Sequence, residues 1–188
     1  TDQRMANPLP ATDAPVRLRL LERYRHLDGQ LLRLLTWASL HWLRTNQQVV
    51  NALNVFPIPD GDTGTNMVLT MQAAWDEVSA TSENSVSDVA HALAHGALMG
   101  ARGNSGVILS QLWRGFARSL DKKTEVDPAA LAEALAEARD TAYRGVVRPV
   151  EGTILTVSKD VAEAARLAME SGATSGLEVL ERVVRAAE

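Results

Sequence analysis

The sequence predicts an all-α bundle of seven or eight helices, and three observations point there. Aromatic residues make up only 4% of the 188 residues, while alanine and leucine abound, a balance that favours helices. Apolar residues recur at spacings of three and four along most of the chain. No segment carries a convincing strand alternation, and there is no internal repeat. Short connections between successive helices make most of them antiparallel neighbours.

Residues 1–13, with Pro8, Pro10 and small or polar side chains, read as a flexible lead-in. Residues 16–24 carry a short helical pattern. Asp28-Gly29 then caps a helix with Leu31, Leu34, Leu35, Ala38 and Trp42 on one face. Pro57 and Pro59 exclude a helix or strand from the loop that follows. Thr63 or Thr65 caps the next helix, whose inward face is Met67, Met71, Ala74, Trp75 and Val78. After a polar connection, Ser85 and Asp88 form a capping box for a helix that turns Val86, Ala90, Leu93 and Ala97 inward. A glycine-rich loop over residues 100–106 leads to the stripe Leu109, Leu112, Trp113, Phe116 and Leu120. Asp127-Pro128 is a strong helix start, Asp at the N-cap and Pro at the first helical position. It opens a face of Leu131, Leu135, Ala138 and Ala142. A loop over residues 147–153 precedes Ile154, Val157, Val161, Ala164 and Ala168, a helix closed by Gly172. Ser175 and Glu178 box the start of a last helix through Leu177, Leu180 and Val184.

Composition excludes several functions. A net charge of −4 gives no basic footprint for nucleic acid. There is no cysteine, hence no disulfide, thiolate zinc site or cysteine nucleophile. No apolar run reaches membrane-spanning length and the N-terminus lacks an apolar signal core, so cytoplasm is the expected compartment.

The residues richest in chemistry are Asp60-Gly61-Asp62, set after two prolines and just before a helix. Two readings stand side by side. In one, Asp62 caps the helix and Asp60 is solvated. In the other, the two carboxylates hold magnesium, with the amide oxygen of Asn54 as a third ligand, while the helix start offers N–H groups to an anion. An EF-hand also begins Asp-x-Asp, but here Thr65 replaces the sixth-position glycine and Met71 the twelfth-position glutamate. The loop over residues 100–106 could cradle phosphates with backbone N–H groups and the Ser105 hydroxyl, or be an interhelix turn with Ser105 as N-cap. It is neither a Walker loop nor a dinucleotide fingerprint. The loop over residues 149–153 reads as helix stop, turn and cap, at the same end as the other two if the bundle runs up and down. His91 and His95 share the i, i+4 spacing of zinc ligands, but with no third ligand nearby they read as structural or solvent-facing. Trp37, Trp42, Trp75 and Trp113 sit on helical patterns and read as core or interface. In a closed helical barrel the same stripes could line an apolar cavity.

Three stretches carry a family resemblance: residues 54–67 (NVFPIPDGDTGTNM), 99–111 (MGARGNSGVILSQ) and 148–157 (RPVEGTILTV). Together they resemble the nucleotide-binding, DhaL-type domain of dihydroxyacetone kinase-like proteins, nearest to the branch with the kinase subunit of bacterial fatty acid kinase. The likeness runs over about residues 28–188. Older descriptions name this domain a phosphatase domain of the dihydroxyacetone kinase family. The resemblance implies that residues 14–188 form an ATP-binding domain. Its fold would be a closed antiparallel barrel of about eight helices, with ATP and two magnesium ions in the loops at one end. Asp60 and Asp62 would be metal ligands. The dihydroxyacetone kinase pattern has a third Asp where this chain has Val55, and Asn54, one residue further away, would take its place. Asn66 matches a phosphate-contacting asparagine, in the helix start with Thr63, Gly64 and Thr65. Gly103, Asn104, Ser105 and Gly106 match the phosphate-gripping loop, and Gly152 and Thr153 fall in a third nucleotide-side loop. Family members continue past residue 188 into a further glycine-rich segment, so a domain cut short at its C-terminus is expected.

The implied activity is ATP-dependent phosphorylation of a fatty acid carboxylate held by a separate DegV-like carrier protein. Dihydroxyacetone or another small hydroxy compound is the alternative acceptor. A non-catalytic nucleotide- or lipid-binding module and a phosphatase are the other classes. The resemblance also allows a homodimer. No catalytic acid or base stands out, and a carboxylate acceptor, already ionised at neutral pH, needs none.

Overall fold

The computed structural model describes residues 26–187 apart from Pro57 and Glu83. The lead-in over residues 1–13 and the helical pattern over residues 16–24 lie outside the described residues. The elements run β1 (Leu27–Asp28), α1 (Gly29–Thr45), α2 (Gln47–Ala52), α3 (Thr63–Ala80), α4 (Val86–Met99), α5 (Gly103–Ser119), β2 (Glu125–Val126), α6 (Pro128–Arg144), α7 (Ile154–Glu170) and α8 (Gly176–Ala187). The all-α expectation holds. Two details differ from it. β1 and β2 form a two-residue antiparallel pair, Leu27 opposite Val126, too short to leave an alternation in the sequence. α2 is one and a half turns without an apolar face, and periodicity cannot find such a helix.

The caps explain where the helices begin. Asp28 Oδ1 accepts from the Leu31 N–H at 2.7 Å, Asp127 Oδ1 from Ala130 at 2.8 Å and Ser85 Oγ from Asp88 at 3.1 Å. Thr153 Oγ1 accepts from Leu155 at 3.2 Å, and Ser175 Oγ from Glu178 at 3.2 Å. Each satisfies a donor that the first helical turn leaves orphaned and contributes about 1 kcal/mol. α7 ends at Gly172 as anticipated. The Gly172 N–H donates to Met169 O and the Ala173 N–H to Ala168 O, both at 3.0 Å, the paired bonds of a Schellman stop. α5 departs from expectation. It begins at Gly103 with Arg102 at its N-cap, so Ser105 lies inside the helix and is not its cap.

The long helices α1 and α3 to α7 alternate in direction, with the short α2 between the first two. Arg33 near the start of α1 donates to Val78 O and, at 3.1 Å, to Thr81 O at the end of α3, placing a cation on that helix's negative pole. Gln47, just past the other end of α1, reaches Thr65 in the first turn of α3. α3 packs on α4, α4 on α5, α5 on α6, α6 on α7 and α7 on α8. The core between them is rich in alanine. Ala74, Ala90, Ala134 and Ala165 are fully buried, which brings the helices close, and Leu93 and Leu120 fill the space between. Burying each such leucine contributes roughly 2 kcal/mol.

The inward faces match the periodicity for α3 to α6, but α1 is out of phase. Its buried residues are Gly29, Leu32, Thr36 and Leu40, whereas Leu34 and Trp42 are 54% and 73% exposed. The leucine pairs 31/32 and 34/35 permit two phases, and Thr36 can be buried because its hydroxyl donates to Leu32 O at 2.8 Å. In α7 the expected residues Ile154, Val157 and Val161 line an interior cavity, while Leu155, Ala162 and Ala165 are buried. In α8, Val179 and Val183 are the buried residues, and Leu177 and Leu180 line an apolar groove of about 250 Å³ shared with Leu31, Leu34 and Leu35 of α1. An apolar groove thus separates the first and last described helices.

Candidate functional site

Alternation brings the starts of α3, α5 and α7 to the same end of the bundle. Met67 and Leu109, one to two turns into α3 and α5, and Ile154, the first residue of α7, line the same apolar cavity of about 470 Å³. Three positive helix ends above one cavity form an anion-attracting surface.

The Asp60-Gly61-Asp62 turn sits at the start of α3. Gly61 adopts φ 69° and is open to solvent on its Cβ side. Asp62 occupies the N-cap position, and its C=O accepts from the Asn66 N–H at 2.8 Å, but its side chain makes no capping bond. The carboxylate is therefore not spent on the helix. Asp60 is exposed, and its Oδ1 accepts from Asn54 Nδ2 at 2.6 Å. Asn54 Oδ1 is buried and has no hydrogen-bond partner among the described residues. A buried amide oxygen without a donor is costly; Nδ2 is the atom that faces Asp60 here, so turning the amide over would present the oxygen to a cation shared with Asp60. Two carboxylates and one amide oxygen fit magnesium, which takes few protein ligands and fills its shell with water and phosphate oxygens. Asn54, Asp60 and Asp62 are the residues that would hold it.

Thr63 and Gly64 form the first turn of α3. Gly64 is buried so closely against α2 that a Cβ would lie 2.4 Å from Gln47 O. Thr65 is engaged from the same side. Its N–H donates to Asn51 Oδ1 at 3.1 Å, and its hydroxyl accepts from Asn51 Nδ2 at 3.1 Å and Gln47 Nε2 at 2.9 Å. Neither Thr63 nor Thr65 caps the helix, as the sequence suggested; Asn51 supplies the bond. Asn66 reaches the second loop, where a Cβ on Gly103 would come within 2.3 Å of Asn66 Nδ2. Gly103 has φ 59°, a left-handed conformation that other residues resist. Asn104 is exposed, Ser105 half-buried and Gly106 buried against Thr70 Oγ1. Thr70 joins the two loops, accepting from the Arg102 N–H at 3.1 Å and donating to Asn66 O at 2.8 Å.

The third loop is held mainly by bonds within itself and to the first turn of α7. The Gly152 N–H donates to Thr156 Oγ1 at 2.8 Å, Thr156 Oγ1 donates to Glu151 Oε2 at 2.9 Å, and Thr153 Oγ1 donates to Val150 O at 2.8 Å. The Gly152 N–H is thus already used. Tyr143 lies 3.4 Å from Glu151, and burial first, then that carboxylate, pushes its pKa up.

The structure therefore joins the first two loops directly and brings the third to the same end. Sequence reading missed Gln47, Asn51 and Thr70. Thr70, a polar residue one turn beyond Asn66 on a buried face, left a trace; the other two lie on the short α2 that no pattern revealed. His91 and His95 have separate partners, Asp121 at 3.4 Å and Glu77 at 3.2 Å.

An all-α bundle with a two-carboxylate turn, a glycine-rich helix start and a third capped loop at one end is the arrangement expected of a DhaL-type domain. The family model for the DAK2 domain matches residues 57–188, and the chain belongs to that kinase-related family of dihydroxyacetone kinase-like domains. Among its relatives, protein YloV of Bacillus subtilis is 49% identical over 146 residues, which is 78% of this chain and 26% of the relative. An uncharacterized protein of Staphylococcus aureus strain USA300 is 46% identical over 139 residues, 74% of this chain and 25% of the relative. The chain spans about a quarter of the length of these relatives. Among the described residues no helix is long and apolar enough to cross a membrane.

Proposed function

We propose that this chain is the ATP- and magnesium-dependent phosphoryl-transfer domain of a fatty acid kinase-like protein working in the cytoplasm. Its acceptor is a fatty acid carboxylate presented by a DegV-like carrier. The observation that carries the reading is the Asn54–Asp60 pair beside an uncommitted Asp62, at the point where the starts of α3 and α5 touch. Held by Asp60, Asp62 and Asn54, magnesium would supply neutralisation of the phosphate charge. The chain's own part is placement. The first turns of α3 and α5 aim N–H groups at phosphate oxygens, and Asn66 and Thr70 keep the two starts in register. In the transfer, a carboxylate oxygen bonds to the γ-phosphorus as its bond to the β–γ bridging oxygen breaks, giving acyl phosphate and ADP. No base is needed, because the acceptor enters ionised.

Calorimetry with ATP, with and without magnesium, tests the metal assignment. Asp60→Ala and Asp62→Ala should each abolish the magnesium-dependent part of binding, and unchanged affinity in both would sink it. Acyl phosphate formation with carrier, ATP and magnesium tests the acceptor. The 470 Å³ cavity, lined almost wholly by apolar side chains, supports a second reading as a lipid-binding module. Lipid co-purifying with a protein that binds ATP without turnover would favour it.

A further inference from the structure

Asp62 stands where an aspartate ordinarily accepts the N–H two or three residues into its helix. The third of those residues is Thr65, and its N–H is taken instead by Asn51 Oδ1 from α2 at 3.1 Å. Chemistry fixes the orientation of this amide. Because the N–H must meet the oxygen, Nδ2 faces Thr65 Oγ1, also at 3.1 Å. Asn51 O further accepts from the Asn54 N–H at 3.1 Å. One residue thus braces both flanks of the Asp60-Gly61-Asp62 turn. We propose that Asn51 is a positioning residue that takes over the capping of α3 from Asp62, leaving the Asp62 carboxylate for a divalent cation and its phosphate ligand. This rests on the nucleotide reading for the cation's purpose, though not for the transfer of the cap.

The alternative is an ordinary tertiary contact in which Asn51 merely ties α2 to α3. The two part on what happens when Asn51 is lost. If Asn51 relieves Asp62, then in Asn51→Leu the orphaned Thr65 N–H recruits the Asp62 carboxylate, as Asp62 turns from its present ψ of −1° to the extended backbone of a capping residue. The helix stays capped, and the cation loses a ligand. Replacing both residues removes every cap.

Two measurements on the full chain test this. In thermal unfolding, the loss of Tm in Asn51→Leu/Asp62→Ala should clearly exceed the sum of the two single losses. In calorimetry, the gain in ATP affinity conferred by magnesium should shrink about ten-fold in Asn51→Leu. It should persist in Asn51→Asp, whose two oxygens can accept from both the N–H and the O–H of Thr65. Additive Tm losses overturn the assignment, and so does an intact magnesium effect in Asn51→Leu. A wild-type chain with no magnesium-dependent ATP binding refutes the nucleotide reading instead, and the unfolding cycle still decides the capping role of Asn51.

Discussion

Replacing Gly64 with alanine sets two opposed effects against each other. Gly64 lies in the first turn of α3, where helix propensity alone would favour alanine by up to about 1 kcal/mol. Against this, the new Cβ would lie 2.4 Å from Gln47 O, 3.0 Å from Asn51 Oδ1 and 3.1 Å from Val50 Cβ. The nearest of these is backbone and cannot rotate away. To restore ordinary contact, α2 must retreat by about 1 Å. That movement stretches the two Asn51–Thr65 bonds, each 3.1 Å, beyond hydrogen-bonding reach. Overpacking of this kind costs about 1–3 kcal/mol, so the steric cost outweighs the propensity gain. For a domain of this size Tm should drop by roughly 2–8 °C. Calorimetry should record magnesium-dependent ATP binding weakened together with stability. A Tm that stays or rises, with binding intact, would show that α2 is a soft neighbour and that its bracing of the site is unimportant.

Two further substitutions probe the second loop and the ion pairs. Gly103→Ala places a Cβ at φ 59° and within 2.3 Å of the Asn66 amide. It should cost about 1–2 kcal/mol in urea unfolding and weaken nucleotide binding, and neutral behaviour in both assays would separate Asn66 from the loop. Burial works to raise the pKa of Glu137, but hydrogen bonds from Arg144, Thr141 and Arg118 outweigh it and hold the carboxyl below its ordinary value. A lowered folded pKa means stabilisation that is present above the unfolded carboxylate value of about 4.3 and fades as pH falls through the folded one. Glu137→Gln should therefore cost under about 1 kcal/mol at neutral pH, since both arginines are more than half exposed. The gap from wild type should close between about pH 5 and pH 3, and a gap that widens in acid would contradict the sign.

Local physical chemistry carried much of this protein into view from its sequence. Asp28, Ser85, Asp127, Thr153 and Ser175 cap helices because their side chains can satisfy orphan N–H groups within three residues, a bond that needs no tertiary partner. The motif Asp60-Gly61-Asp62 marked the candidate cation site for the same reason, as two carboxylates and a turn in three consecutive residues. The inward faces of α3 to α6 followed from the helical period. What needed the tertiary structure was everything set by contacts between distant residues. The leucine pairs of α1 allowed two phases, and packing against its neighbours chose the one that buries Thr36. α2 and the β1–β2 pair are too short to hold their shape alone, and they exist because the bundle supplies their partners. The choice between Asp62 as helix cap and Asp62 as free carboxylate lay with Asn51, eleven positions away. Periodicity could not place that residue, because its hydrogen bonds cross between helices instead of running along one.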